Sequence, residues 1–246
     1  MKRIMLVIAY DGTNYCGWQI QPHHKTIEGE INAALTKLLG VSVEVIGASR
    51  TDAGVHALGN LAVFDTCSQI PGEKFKHALN QRLPGDIRIQ ESREVERTFH
   101  PRYCNSRKTY EYRILSREVE QPMERLYAHH TYYKLNLEAM QEAALFFCGE
   151  HDFKSFCSIG TQVKNTVRTI YALEIKKKED LITIQVTGSG FLYNMVRILA
   201  GTLIEVGRGR RQPEDMKRIL EGKDRSLAGP TAPARGLRLL EILIEN

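Results

Sequence analysis

Both halves of the chain alternate strand-like and helix-like segments, and this succession limits the folds that the chain can adopt. The apolar run Ile4–Tyr10 predicts a buried strand. From Thr26 onwards, apolar residues recur every three or four positions, which predicts a helix that begins after Thr26 and ends at Gly40. The other elements expected in this half are strands over Val43–Ile46, Ala57–Phe64, Asp86–Val95 and Arg107–Leu115, and a helix over Phe75–Leu83.

The second half repeats this succession. Helices are expected over Glu138–Phe147, Tyr193–Val206 and Pro213–Leu220, the last with proline in its first turn. Strands are expected over Thr169–Lys176, Leu181–Thr187 and Leu237–Ile244. Strand and helix groups of this kind in each half favour an α+β fold, in which helices pack against antiparallel sheets.

The most probable connector between the halves is the segment 116–125, which is rich in charge and contains Pro122. We therefore predict an N-terminal half over residues 1–115 and a C-terminal half over residues 126–246. A chain of 246 residues with 42% hydrophobic residues is long and apolar enough for one large domain or two small ones.

Composition excludes several classes of protein. The formal net charge of +5 permits a nucleic-acid partner without requiring one. The chain has no apolar stretch long enough to span a membrane and no cleavable signal sequence, so we expect a cytoplasmic protein. Disulfides and zinc are not expected, because no Cys-x-x-Cys pair occurs and the spacing of Cys148, His151 and Cys157 fits no common zinc pattern.

Residues 50–56 read Arg-Thr-Asp-Ala-Gly-Val-His and lie between two expected strands. Thr51, Asp52 and Gly54 are turn-forming residues, and a carboxylate on a short loop between strands is presented outside the core. Asp52 is therefore a candidate catalytic acid. From the residues alone, a surface ion pair or a local turn explains the pattern better than a catalytic role does. A surface ion pair of this kind is worth only about 0–1 kcal/mol.

Seven segments, taken in chain order, resemble motifs of the tRNA pseudouridine synthase A (TruA) family. The segment 47–57 is similar to the catalytic signature of that family. The other matching segments cover the chain from about residue 10 to about residue 240, and they are 10–19, 98–102, 108–112, 151–156, 188–197 and 232–237. Three positions depart from the family pattern, namely Ser49, Asn60 and Pro101, and these bear on RNA contacts rather than on the chemistry.

The resemblance implies two similar α/β halves that share a mostly antiparallel sheet, with helices on one side and a central cleft. It also implies that Asp52 is the essential carboxylate and that Arg197 keeps it ionised, since a nearby guanidinium favours the charged form. Arg50 would assist extrusion of the target uridine from its stack. Tyr110 would stack on the flipped base. Without the resemblance, Arg197 is more simply a surface cation and Tyr110 a core residue.

The implied reaction isomerises uridine to pseudouridine in the anticodon arm of tRNA, at positions 38–40. No atom is gained or lost, so no metal and no other cofactor is expected. The carboxylate could attack C1′ of the ribose or could remove a proton, and the sequence leaves both open. A homodimer that contacts one tRNA with both subunits is also implied.

Two other functions stay open on the residues alone. A hydrolase could use Ser49, Asp52 and His56, although triad members normally come from separate segments. A pure RNA-binding module could use basic residues without turnover. The basic residues in question are the cluster Arg208, Arg210 and Arg211, which we interpret as phosphate-facing. The run Lys176–Lys178 is explained equally well as a solvated face. We interpret His56 as a packing or RNA-contacting residue.

Overall fold

The computed structural model describes residues 1–158 and 165–245. Packing divides the chain into two compact units, which are Met1–Ser106 with Leu239–Asn246, and Arg107–Arg238. This grouping differs from the halves expected from the sequence, because the end of the chain returns to the first unit. Packing alone does not test the predicted division into residues 1–115 and 126–246, which stays a prediction.

Ten strands and five α-helices occur in the described part of the chain. The strands are β1 (Lys2–Tyr10), β2 (Ile46–Gly47), β3 (His56–Thr66), β4 (Ile87–Val95), β5 (Ser106–Ser116), β6 (His129–Thr131), β7 (Gly149–Asp152), β8 (Val167–Lys178), β9 (Leu181–Gly188) and β10 (Leu237–Ile244). The helices are α1 (Ile27–Leu39), α2 (Phe75–Asn80), α3 (Leu137–Leu145), α4 (Met195–Gly207) and α5 (Asp215–Gly222). The chain thus has the mixed α+β composition that the sequence predicts.

The strands of the first unit follow the order β4-β1-β3-β10, and β2 pairs with β3. β1 is antiparallel to both β3 and β4, and Ile4 lies opposite Phe64 on one side and Glu94 on the other. Helix α1 begins as predicted, because the Thr26 side chain accepts a hydrogen bond from the Gly29 N–H. It ends at Gly40, which adopts the left-handed conformation with φ 72°.

The strands of the second unit follow the order β5-β9-β8-β7. β9 is antiparallel to β5 and β8, and β8 is antiparallel to β7. Only the short β6 runs parallel to its neighbour, β5, among the described strand pairs. The sheets are therefore mostly antiparallel, as expected. Helix α4 is buried over most of its length and packs closely on α3, where Gly207 meets Met140.

Two expectations about local structure were wrong, and two short strands were missed. Val43 and Val45 are buried but not in a strand, because the Val45 N–H donates to Asn32 Oδ1 at 3.0 Å instead of to a neighbouring strand. Pro213 precedes helix α5, which begins at Asp215. The short strands β6 and β7 were not predicted. No helix in the described part of the chain is both long and apolar enough to cross a membrane.

The close packing of α4 predicts a steep cost for added volume. A methyl group at Gly201 would lie 1.8 Å from the Pro230 carbonyl oxygen, inside any allowed contact. We expect Gly201→Ala to lower the free energy of unfolding by about 1–3 kcal/mol, despite the better helix propensity of alanine. Urea unfolding checks this against Gly85→Ala, where the added methyl meets open space. Equal stability of the two variants would contradict the packing argument.

Candidate active site

The loop between β2 and β3 carries Asp52, and the buried side chain of Asn60 holds it through hydrogen bonds. Asn60 is fully buried in β3. Its Nδ2 donates to the Ser49 carbonyl oxygen at 3.0 Å, and its Oδ1 accepts from the Ser49 N–H at 3.3 Å. The same Nδ2 lies 3.3 Å from the Tyr10 hydroxyl, which shares a 2.7 Å hydrogen bond with Thr51 Oγ1. One amide therefore fixes the residues that lead into Asp52.

The segment after β1 holds the same loop through its backbone. The Trp18 N–H donates to the Thr51 carbonyl at 3.0 Å, and the Gly54 N–H donates to the Tyr15 carbonyl at 3.3 Å. The Val55 N–H closes a turn on the Asp52 carbonyl at 3.1 Å, and Gly54 has φ 76°. The Asp52 backbone is thus bonded on both of its flanks.

Two glycines allow these segments to approach so closely. A methyl group at Gly17, which has φ 85°, would lie 2.6 Å from the Thr51 carbonyl oxygen. A methyl group at Gly12 would lie 2.0 Å from the Val55 carbonyl oxygen. Any larger residue at either position would push the Asp52 loop away from its support.

The side chains of the heptapeptide face different surroundings. Asp52 is partly exposed, Arg50 is exposed, and His56 is 6% exposed. The Nδ1 atom of His56 lies 3.1 Å from the Gly12 N–H nitrogen and 3.1 Å from Asp11 Oδ1. Nδ1 accepts from the Gly12 N–H when the ring proton is on Nε2, and it donates to Asp11 when Nδ1 itself carries a proton. A Ser49–Asp52–His56 triad needs one ring nitrogen of His56 for the serine and the other for the carboxylate. The contacts of Nδ1 with Gly12 and Asp11 therefore do not favour a hydrolase.

Arg197 lies in the first turn of α4, within the second unit. Its Nε donates to the Ala232 carbonyl and its Nη1 to Asn194 Oδ1, both at 2.8 Å. The Asn194 amide donates in turn to Ser158 Oγ at 2.8 Å. Asn194 has φ 59°, a backbone conformation that asparagine tolerates better than most residues. The guanidinium is therefore oriented by fixed partners, which an ordinary surface arginine lacks.

Tyr110 lies in β5 and is 8% exposed, and the Phe191 ring packs edge-on against it at 5.3 Å between centroids. Tyr112, two residues along the same strand, is fully buried and donates its hydroxyl to the Pro233 carbonyl at 2.9 Å. Burial raises the pKa of Tyr112, although the nearby Arg197 and Arg235 oppose that shift. Tyr112 stays a neutral hydrogen-bond donor and supports the segment that also holds Arg197.

No group of three or more His, Cys, Asp or Glu side chains in residues 1–158 and 165–245 could hold a metal ion. His151, considered above as a possible ligand, has its Nε2 2.9 Å from the Cys148 carbonyl oxygen.

Comparisons with known proteins identify the family of the chain. A family model for tRNA pseudouridine synthase matches residues 6–104 and 143–243, which include both the Asp52 loop and Arg197. The chain is 53% identical to tRNA pseudouridine synthase A 2 of Clostridium tetani, over 98% of each protein. It is 51% identical to tRNA pseudouridine synthase A of Ruminiclostridium cellulolyticum, over 98% of this chain and 99% of that protein.

The chain belongs to the tRNA pseudouridine synthase A family. The same relation holds for the Brevibacillus brevis protein of that name, which is 47% identical over 99% of this chain and all of its own length. The family predicted from the seven motifs is therefore confirmed, and the enzyme is a tRNA pseudouridine synthase, an isomerase. The roles of Asp52, Arg197, Tyr110 and Arg50 are not tested by these matches.

The residues that support the site were not predicted from the sequence. Asn60 was noted only as a departure from the family pattern, and Gly12, Gly17 and Asn194 only as parts of longer motifs. A lone asparagine within the apolar run Ala57–Phe64 was the available signal, because a buried amide requires hydrogen-bond partners. Glycines beside Asp11 and Trp18 were a weaker signal, since many glycines only mark turns.

We expect Asn60→Ala to destabilise the enzyme and to reduce its activity. The substitution leaves the Ser49 N–H, the Ser49 carbonyl and the Tyr10 hydroxyl short of a buried partner, at a cost of about 1–3 kcal/mol for each group left unsatisfied. Urea unfolding gives the loss of stability, and turnover on tRNA at a temperature where the variant is folded gives the effect on the loop. Asn105→Ala, at an exposed position outside the segments that hold the loop, is the control. Wild-type stability in Asn60→Ala would contradict this account.

Proposed function

We propose that this enzyme isomerises uridine to pseudouridine in the anticodon arm of tRNA, with Asp52 as the essential carboxylate. Membership of the family over nearly the full chain carries the proposal. The structure supports it in one respect, since Asp52 is partly exposed on a loop whose backbone is bonded on both sides. A carboxylate that must act on one atom of a large substrate needs such a preorganised support.

The chemistry assigns Asp52 a charged role. The reaction breaks the N1–C1′ bond of uridine, turns the base and joins C5 to C1′. The carboxylate either attacks C1′ or removes a ribose proton, and a proton leaves C5 in both routes. Each route requires the ionised form, which a guanidinium favours. Arg197, oriented by Ala232 and Asn194, is our candidate for that guanidinium.

The remaining roles concern access to the base. A uridine in a stem is stacked, and extruding it costs a few kcal/mol. We propose that Tyr110 stacks on the extruded base, which returns about 1–3 kcal/mol, and that the exposed Arg50 fills the gap or holds the displaced phosphate. Phe191, packed on Tyr110, would keep that ring in place.

The proposal includes the wider organisation that the family resemblance implies. Two similar halves would share one sheet with helices on one side and a central cleft. A homodimer would contact one tRNA with both subunits, and the enzyme would work in the cytoplasm without a cofactor. Sedimentation of the enzyme alone and with tRNA gives the subunit number directly.

The decisive experiment is release of tritium from tRNA labelled at C5 of uridine. We expect Asp52→Asn to abolish release while tRNA binding is retained, because the amide keeps the shape but can neither attack nor accept a proton. Asp180→Asn is the control, since it removes an exposed carboxylate from the surface of the second unit. If Asp52→Asn kept turnover within about tenfold of wild type, Asp52 would not be the essential carboxylate.

The same assay separates the alternative functions. A module that binds RNA without turnover releases no tritium even as the wild-type protein. Mapping pseudouridine in tRNA from a strain that lacks this enzyme then identifies the target nucleotides. We expect the missing modifications at positions 38–40, and modifications lost elsewhere would redirect the proposal to another part of tRNA.

A further inference from the structure

A basic and aromatic surface lies beyond the C-terminal end of α4. We name it the Arg208 surface and define it by Tyr132, Tyr133, Arg208 and Arg210. The Arg208 guanidinium lies 3.6 Å from the centre of the Tyr133 ring. Tyr132 is 64% exposed, and its hydroxyl donates to the Tyr133 hydroxyl at 2.5 Å. Two aromatic rings and two guanidinium groups thus meet at the surface, where Tyr132 and Arg210 are exposed and Tyr133 and Arg208 are half-buried.

The charges around these rings act on Tyr133. The hydrogen bond from Tyr132 lowers the pKa of the Tyr133 hydroxyl, and the positive charges of Arg208 and Arg210 lower it further. Both arginines therefore act electrostatically on one hydroxyl, which is the environment that an anionic oxygen of a ligand would also meet.

The structure separates the arginines of the cluster into two kinds. Arg211 is 21% exposed, donates to Glu205 Oε2 at 3.0 Å and to the Leu227 carbonyl at 2.7 Å, and so serves the fold. Arg210 is 56% exposed and lies 3.5 Å from the same carboxylate. Arg208 has no carboxylate within 4.0 Å among the described residues. Glu205 therefore balances at most one of three positive charges, which leaves an excess of two.

A phosphate of a nucleic-acid strand fits this arrangement. A guanidinium held over a tyrosine ring already has part of its side-chain freedom restricted, so it loses less when it binds phosphate. The exposed Tyr132 ring adds a face on which a base or a sugar can rest. The binding surface of an acidic protein would need the charges but not the exposed Tyr132 ring.

Helix α4 connects the Arg208 surface to Arg197 of the proposed active site, because the two arginines lie at opposite ends of this helix. Arg197 lies in the first turn of α4, and Arg208 follows directly after its last residue, eleven residues further on. At about 1.5 Å per residue the two backbone positions are about 16 Å apart. A folded RNA bound at Arg197 extends well beyond that distance, so its backbone can reach the Arg208 surface.

We propose that the Arg208 surface binds a backbone phosphate of the tRNA substrate outside the site of chemistry, with Arg208 as the phosphate ligand and Tyr133 as its support. This proposal rests on the proposed function, because it takes tRNA as the ligand. It adds a second tRNA-contacting region to the enzyme. Arg211 does not belong to this region, because its contacts with Glu205 and Leu227 stabilise the fold.

The test is the salt dependence of tRNA binding. Loss of one phosphate contact lowers the log–log slope by about 0.7–0.9, so we expect Arg208→Gln to show that decrease and about fivefold to tenfold weaker binding near 0.1 M salt. We expect KM to rise by a similar factor, with kcat within twofold of wild type. Arg218→Gln, an exposed arginine on α5, should match wild type in every measurement.

Two further variants address the aromatic support. Tyr133→Leu should weaken binding by less than Arg208→Gln, since the charge remains but is no longer held in place. Arg208→Lys should keep the wild-type slope with weaker binding, because an ammonium is charged but cannot stack as a plane. Melting temperatures of all variants exclude a loss of folding as the cause.

An unchanged slope in Arg208→Gln would overturn the inference. A variant that dissociates into monomers in sedimentation, with binding lost only for that reason, would assign the surface to subunit contact and would also overturn it. Failure of the proposed function looks different, since the wild-type enzyme would then release no tritium. If the wild-type enzyme releases tritium and Arg208→Gln binds tRNA with an unchanged slope, the proposed function stands and only this inference fails.

Discussion

The contact between the backbone of residues 12–18 and the backbone of the Asp52 loop is the constraint on which the first unit depends. Two of its hydrogen bonds join carbonyl oxygens to amides across the contact, and Gly12 and Gly17 have no side chain that would separate the segments. A loop held in this way has few alternative conformations. The backbone that carries the partly exposed Asp52 is therefore held in one position, which the catalytic role proposed for this carboxylate requires.

Asn60 adds a different kind of support. A buried amide with several partners costs much when unsatisfied and little when satisfied, so it tolerates only one position of the loop. The second unit uses the same principle at Arg197, whose orientation depends on Asn194 and Ala232. In both places the residue proposed for chemistry is held by a neighbour that performs none.

Sequence reasoning reached the elements with local signals and missed those that depend on distant contacts. Helix α1 was predicted with both ends, because Thr26 and Gly40 cap it within the same segment. Val43 and Val45 were assigned wrongly to a strand, since the distant Asn32 takes the hydrogen bond that a strand would need. The loop at Asp52 was recognised from its residues, but its backbone hydrogen bonds leave no pattern in the sequence.

Helix α4 shows why charge alone does not identify a binding surface. Arg208, Arg210 and Arg211 look alike in sequence, and the negative end of the helix dipole attracts all three. Glu205 nevertheless engages Arg210 and Arg211, while Arg208 lies against the ring of Tyr133. A cation paired with a carboxylate must lose that partner before it binds phosphate, whereas a cation on an aromatic face keeps its support. Binding a phosphate should therefore cost less free energy at Arg208 than at Arg210, although Arg210 is the more exposed of the two.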